Sequence, residues 1–195
     1  MSRVPHDWDE SYEGRPPWDI GRPQPEFVTL AQQGFLRGRL LDAGCGTGEH
    51  TLLAAASGAD ALGVDVAVRA IEIARAKAAE RGIQARFAVA DALRLDELDG
   101  RFDTVIDSGL FHVFDDEDRP AYVASLERVV VPGGRCLLMC FSEHQPGDGG
   151  PRRVTQAELR AAFATGWEVR SMAPASFEVR EGNRAQAWLA VLERH

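Results

Sequence analysis

Three aspartates each close a short apolar run: Asp42 ends Leu40-Leu41-Asp42, Asp65 ends Gly63-Val64-Asp65, and Asp91 ends Val89-Ala90-Asp91. After the first comes a glycine-rich turn, Gly44-Cys45-Gly46-Thr47-Gly48. Glycines let a ligand approach the backbone closely, and a helix opening behind the turn presents free N–H groups to it. A dinucleotide-binding turn reads G-x-G-x-x-G, but Glu49 stands where the third glycine belongs. A pyrophosphate would meet the Asp42 carboxylate unfavourably; a cationic, phosphate-free ligand would not. Asp65 falls about 20 residues past the turn, the separation at which a carboxylate accepts from ribose hydroxyls. Asp91 can accept from an adenine amino group. Taken singly, the turn fits an ordinary strand-to-helix connection and each acid fits a solvated strand end. Acids ending three consecutive strands make the case for one binding edge.

His112 lies five residues past Asp107 in the run Asp107-Ser108-Gly109-Leu110-Phe111-His112-Val113-Phe114. An imidazole with an unperturbed pKa of about 6.5 can take a proton from a hydroxyl or a ring N–H. A histidine that packs without moving a proton is the competing reading. Phe111, Phe114 and Trp18 fit an apolar box that excludes water, or equally the core. His6, His50, His144 and His195 form no H-x-E or H-x-x-x-H pair, and Cys45, Cys136 and Cys140 form no C-x-x-C pair, so no metal site is expected. The run Asp115 to Asp118 reads as a solvated, acidic helix start. Arg152-Arg153 reads as a surface pair or as a contact for an anionic substrate.

The elements that must hold these groups follow from periodicity. From residue 39 onward short apolar runs alternate with helical stretches, the pattern of βαβ units and a parallel sheet. Strands are expected at Arg39 to Ala43, Ala61 to Asp65, Ala85 to Ala90, Phe102 to Ile106 and Cys136 to Phe141, the last after a turn at Pro132-Gly133-Gly134. Helices are expected at Glu26 to Gln33, Glu49 to Ala56, Ala67 to Arg81 and Arg119 to Val130, and from Thr155 as cap to about Ala164. Two more strands, near Glu168 to Met172 and Ala187 to Leu192, complete an antiparallel edge. The fold class is α/β: a doubly wound, Rossmann-like, mostly parallel seven-stranded sheet with ligands at the carboxyl ends of its strands.

On these residues the chain resembles the class I S-adenosylmethionine-dependent methyltransferases. The likeness runs through Leu41 to Gly48, Val89 to Ala92, Phe102 to Gly109 and Val131 to Gly134, in the family's order. It implies that Asp42, Gly44, Cys45, Gly46 and Gly48 surround the methionine end of the cofactor. It implies further that Asp65 with Val66 holds the ribose, that Asp91 and Ala92 frame the adenine, and that Asp107 and Ser108 face the methionine moiety and the substrate. Trp8-Asp9 and the run Gly14 to Glu26 resemble the lid of small-molecule methyltransferases related to the thiol, halide and thiopurine enzymes. They are especially similar to the mycobacterial heterocyclic toxin methyltransferases, as are Asp107 to His112 and Val154 to Ala162. By that likeness Trp18 lies over the cofactor, and His112, Phe111, Phe114 and Trp18 line an acceptor pocket. The implied cofactor is S-adenosyl-L-methionine, released as S-adenosyl-L-homocysteine.

Composition bounds the rest. The chain has 195 residues, 45% apolar and 27% charged, which suits one self-folding domain: residues 1–40 as lid and helix, 41–195 as the binding core. Five of the ten prolines fall in the first 25 residues, together with Trp8, Tyr12 and Trp18, so that stretch is expected to be irregular and to pack as a cap. A net charge of −8 speaks against a nucleic-acid partner, and no apolar run reaches the roughly 18 residues of a membrane span. One lysine, Lys77, against 21 arginines makes Schiff-base chemistry improbable, and no P-loop string is present. The expectation is a cytoplasmic enzyme acting on a small, planar acceptor at O, N or S, with its oligomeric state open. The alternatives are a non-catalytic binder of the same cofactor acting as a sensor or partner subunit, and an NAD(P)-linked oxidoreductase.

Overall fold

A computed structural model describes residues 7–195, so His6 lies outside the described residues. In chain order the elements are α1 (Trp8–Ser11), α2 (Pro25–Gln32), β1 (Arg39–Ala43), α3 (Glu49–Ala56), β2 (Asp60–Asp65), α4 (Val68–Arg81) and β3 (Arg86–Val89). They continue with β4 (Phe102–Ser108), α5 (Asp118–Val129), β5 (Val130–Phe141), α6 (Gln156–Ala162), β6 (Trp167–Glu178) and β7 (Arg184–Arg194). The seven strands form one sheet in the order β3-β2-β1-β4-β5-β7-β6. The first five are parallel, and β7 runs antiparallel to both β5 and β6. This is the doubly wound sheet with an antiparallel edge that the periodicity calls for.

Helices cover both faces, so the central strands must be apolar on both sides. Leu40 and Leu41 in β1 are wholly buried and, by strand alternation, face opposite layers. Leu41 joins Val105, Tyr122, Leu126 and Phe163 on one side, whereas Leu40 joins Phe27, Leu30, Ile106 and Met139 on the other. Each such side chain stabilises the fold by about 1.5–3 kcal/mol through burial. The strand order reverses between β1 and β4, where Ala43 pairs with both Val64 and Asp107. The glycine-rich turn leaves β1 at this switch point, where an open α/β sheet leaves a crevice.

Three details depart from the sequence expectation. The N-terminal stretch contains one turn of helix, α1, because Asp7 accepts from the backbone N–H groups of Asp9 and Glu10. Pro132-Gly133-Gly134 does not precede a new strand but lies inside β5. There the register against β4 jumps from Phe102↔Val130 to Thr104↔Arg135, so the extra residues form a bulge. Strands β6 and β7 run 12 and 11 residues, well beyond the short strands expected. Thr155 does cap α6, in a capping box with Glu158.

Candidate functional site

The site is built at the carboxyl ends of β1 to β4. Gly48 caps α3 at φ +85°, and a Cβ there would lie 2.7 Å from Phe87 and 2.9 Å from Ala74. Only glycine lets α3 begin this close to α4 and β3. Gly46, at φ +51°, has the Tyr12 hydroxyl packed on it, 2.9 Å from where a Cβ would stand. Its N–H donates to Asp65 Oδ2 at 2.8 Å, while Asp65 Oδ1 accepts from Ala67 N at 2.9 Å. The last acid of β2 thus ties its own strand to the glycine turn of β1. Burial raises the Asp65 pKa against these hydrogen bonds. Asp91 caps the turn behind β3 through Leu93 N at 2.9 Å and keeps a half-exposed carboxylate. Ala92 beside it is buried against the core.

Asp42 and Asp107 do not project into the crevice. Asp42 is buried and accepts from Thr51 Oγ1 at 2.7 Å; burial pushes its pKa up to about 7. Asp107 is fully buried, and burial pushes it up to about 6. It accepts from Leu110 N at 2.8 Å, from Phe111 N at 3.1 Å, and from the Tyr122 hydroxyl at 2.9 Å. Asp107 therefore shapes the loop that carries His112. Ser108, the last residue of β4, is half-buried.

Phe111 is wholly buried and Phe114 partly so, each packed against a neighbouring ring. Phe111 packs against Phe163 and beneath the Arg119 guanidinium, 4.7 Å away, and Phe114 packs on Tyr122 at 4.9 Å. The aromatic wall beside His112 is instead Phe141 at 4.8 Å and Phe177 at 5.8 Å, which touch each other at 5.7 Å. Phe177 lies past the expected end of its strand, and neither residue shows a sequence signal that sets it apart from core. His112 is 5% exposed, and its Nδ1 accepts from Phe141 N at 2.9 Å. A neutral ring held this way carries its hydrogen on Nε2, which faces Gly109. Burial, with Arg119 and Arg153 nearby, lowers its pKa to about 3. The Nδ1 lone pair is thus taken by the Phe141 N–H, a partner that the sequence reading of His112 as a base did not include.

The N-terminal segment closes over this edge. Trp18 Nε1 donates to the Tyr12 hydroxyl at 3.2 Å, and both rings stand edge-on to each other. Gln24 is buried and anchors the segment. Its backbone N–H donates to His50 Nε2, and its side chain exchanges two hydrogen bonds with the backbone of Glu178 at 2.9 and 2.8 Å. Arg22 pairs with Glu178, and Arg180 N donates to Pro17 O. His50, unremarkable in the sequence, thus anchors the N-terminal segment, and burial lowers its pKa to about 4. Arg152 bridges Asp116 and Glu158, and Arg153 donates to five backbone carbonyls between Gln145 and Pro151.

A flat nucleoside cofactor fits these residues. The large apolar side chains left exposed among the described residues are Trp18, Val66, Val68 and Val89, at 46–49%. Val66 and Val89 directly follow or end β2 and β3, and Val68 opens α4. Apolar surface flanking the Asp65 carboxylate suits a purine face beside ribose hydroxyls. Two cavities of about 390 Å³ lie elsewhere, one between α5 and α6 and one at the amino ends of the strands, and neither includes the glycine turn. Among the described residues no cluster of His, Cys, Asp or Glu has a metal-holding arrangement, and no helix is long and apolar enough to cross a membrane.

Known proteins resemble this chain in sequence and in fold. A family model described as a methyltransferase domain matches residues 40–134. The chain is 41% identical over 169 residues to the 2-heptyl-1-hydroxyquinolin-4(1H)-one methyltransferase of Mycobacteroides abscessus, spanning 85% of this chain and 74% of the relative. A structure solved in work on the conversion of a disulfide bond into a thioacetal group during echinomycin biosynthesis superposes with TM-score 0.86 at 37% identity, over 95% of this chain and 91% of that one. Magnesium protoporphyrin IX methyltransferase from Synechocystis PCC 6803, solved with bound S-adenosylmethionine, shares the fold with TM-score 0.68 at 23% identity, over 87% and 76% of the two chains.

Proposed function

The chain belongs to the S-adenosylmethionine-dependent methyltransferases, and on that premise we propose that it methylates O, N or S of a small aromatic or heterocyclic acceptor. The observation that carries the acceptor class is the 41% identity with a hydroxyquinolone methyltransferase along 85% of the chain. The aromatic wall of Phe141 and Phe177 beside His112 supports a planar ring there. When bound, the cofactor supplies an electrophilic methyl group on a sulfonium. Gly44 to Gly48 would hold its methionine end, Asp65 its ribose, and Val66, Val89 and Asp91 its purine, with Trp18 closing from the lid.

In this reading the protein's own contribution is alignment and exclusion of water, the main levers available to an in-line displacement. Phe141 and Phe177 keep the acceptor dry, and His112 steers it through Nε2–H rather than by taking its proton. Acceptors already anionic near neutral pH, such as N-hydroxy heterocycles, acidic phenols and thiols, suit such a site best. The buried free thiols fit a reducing compartment, the cytoplasm. A screen of hydroxyquinolines, phenols and thiols, read as S-adenosylhomocysteine formed, tests the proposal. Turnover of planar hydroxylated heterocycles is expected, and a chain that turns over none of these classes would refute the acceptor assignment.

A further inference from the structure

Arg152 and Arg153 are adjacent in the chain but do different work in the fold. Arg152 pairs with Asp116 and Glu158, whereas Arg153 is half-buried and makes no ion pair among the described residues. All five of its N–H groups go instead to one loop, residues 145–151, between β5 and α6. Nε donates to Gln145 O at 3.3 Å, Nη1 to Gly149 O and Pro151 O, each at 2.8 Å, and Nη2 to Pro146 O at 3.1 Å and Gly147 O at 2.6 Å. Five of the seven residues of that loop are Gly or Pro, which bring no side-chain donor or acceptor to fasten it. Its order rests on the one side chain whose planar fork carries five donors. The loop bears on the aromatic wall. Arg153 lies over the Phe141 ring, 5.8 Å from its centre, and a Cβ at Gly150 would stand 3.6 Å from Phe141 Cε2. Phe141 is also the ring beside His112 and Phe177, and its carbonyl accepts from Val154 N at the foot of the loop.

We propose that Arg153 is a positioning residue that determines acceptor affinity: it locks the 145–151 loop against Phe141 and so fixes the wall on which the acceptor ring lies. This rests on the acceptor reading above and deepens it. The loop's other hydrogen bonds to the rest of the chain run to Ser142 and Gln186. Losing the lock should therefore move acceptor affinity and leave cofactor affinity alone. A lysine keeps the charge but presents its donors from a single point, so it cannot replace the fork.

The test is steady-state kinetics with 1-hydroxyquinolin-4(1H)-one, the ring system in the relative's name, as the acceptor probe. Arg153→Gln and Arg153→Lys should each raise the acceptor KM about tenfold or more, with kcat within about twofold of wild type and S-adenosylhomocysteine affinity unchanged by calorimetry. Proteinase K should cut Arg153→Gln inside residues 145–151 faster than the wild type, a readout independent of turnover. An unchanged acceptor KM overturns the proposal, and so does an equal loss of cofactor affinity or a failure of both variants to fold, which would make Arg153 a general support of the fold. Rescue of the acceptor KM by Arg153→Lys overturns it too, since charge alone would then suffice. Equal cleavage of wild type and Arg153→Gln refutes the lock. Phe141→Ala separates the proposal from the reading beneath it. If this variant raises the acceptor KM and Arg153→Gln does not, the wall stands and the lock falls. If neither variant changes it, or the wild type methylates none of the proposed acceptor classes, the acceptor reading itself falls and the Arg153 assignment with it.

Discussion

At the scale of single residues, the site shows carboxylates of one sequence type sorted by burial into different work. Asp65 keeps an edge toward the crevice, whereas Asp42 and Asp107 are spent on Thr51, the backbone and Tyr122. Asp65→Ala should therefore weaken S-adenosylmethionine binding at least tenfold by calorimetry, since it removes the ribose acceptor of the proposed site and frees the Gly46 N–H. Unchanged affinity would sink the placement of the cofactor. That Asp65 and the glycine turn stand at the same edge of the sheet was legible because each strand and the turn behind it are contiguous in the chain. The state of His112 was not, because it is decided by the N–H of Phe141, 29 residues away. Phe177 was hidden for the same reason: only the β6–β7 pairing brings it to His112.

At the scale of elements, the turn between β1 and α3 has little latitude. Gly48→Ala puts a methyl group into Phe87 and Ala74 at a left-handed φ. Strain of that kind costs on the order of 1–3 kcal/mol, and overpacking adds a similar amount. Urea unfolding should show a loss of about 2 kcal/mol or more with an unchanged slope, and a neutral result would mean that α3 can shift freely on α4. Strands β1 to β4 were legible to within two residues at each end, because burial on both faces makes them continuous apolar runs bounded by turn residues. The edge strand β6 was under-read: most of it is exposed or half-buried, and it carries Arg170 and Pro174, so its pattern resembles a loop. The bulge in β5 was read as a turn because Pro-Gly-Gly serves both, and only pairing with β4 tells them apart.

At the scale of the whole molecule, buried titrating groups set the response to pH. His50 and His112 are held neutral, with pKa lowered from 6.5 to about 4 and about 3. Below 6.5 the unfolded chain takes up protons that the folded one refuses, so their contribution is full above pH 6.5 and is lost as pH falls toward 4 and 3. Asp42 and Asp107 work in the other direction: raised to about 7 and about 6, they favour the folded state at low pH and lose that contribution as pH rises through those values. His112→Gln removes one acid-sensitive group while keeping an acceptor for Phe141 N. Its melting temperature should fall less than that of the wild type between pH 7 and pH 5. Equal slopes would mean that His112 titrates normally.

The lid has a second consequence, for how molecules meet one another. Strand β6 is the outermost of the sheet, and its free side would present a row of unpaired backbone groups. The N-terminal segment covers the carboxyl end of that row: Glu26 takes Ser176 N, Gln24 takes both Glu178 N and O, and just beyond the strand Pro17 takes Arg180 N. On the proposed reading of this segment as a lid, the lifting that admits substrate would also bare the end of a strand edge able to pair with another chain. On that reading turnover and colloidal stability share one movement, and a sequence that loosened the first for speed would surrender part of the second.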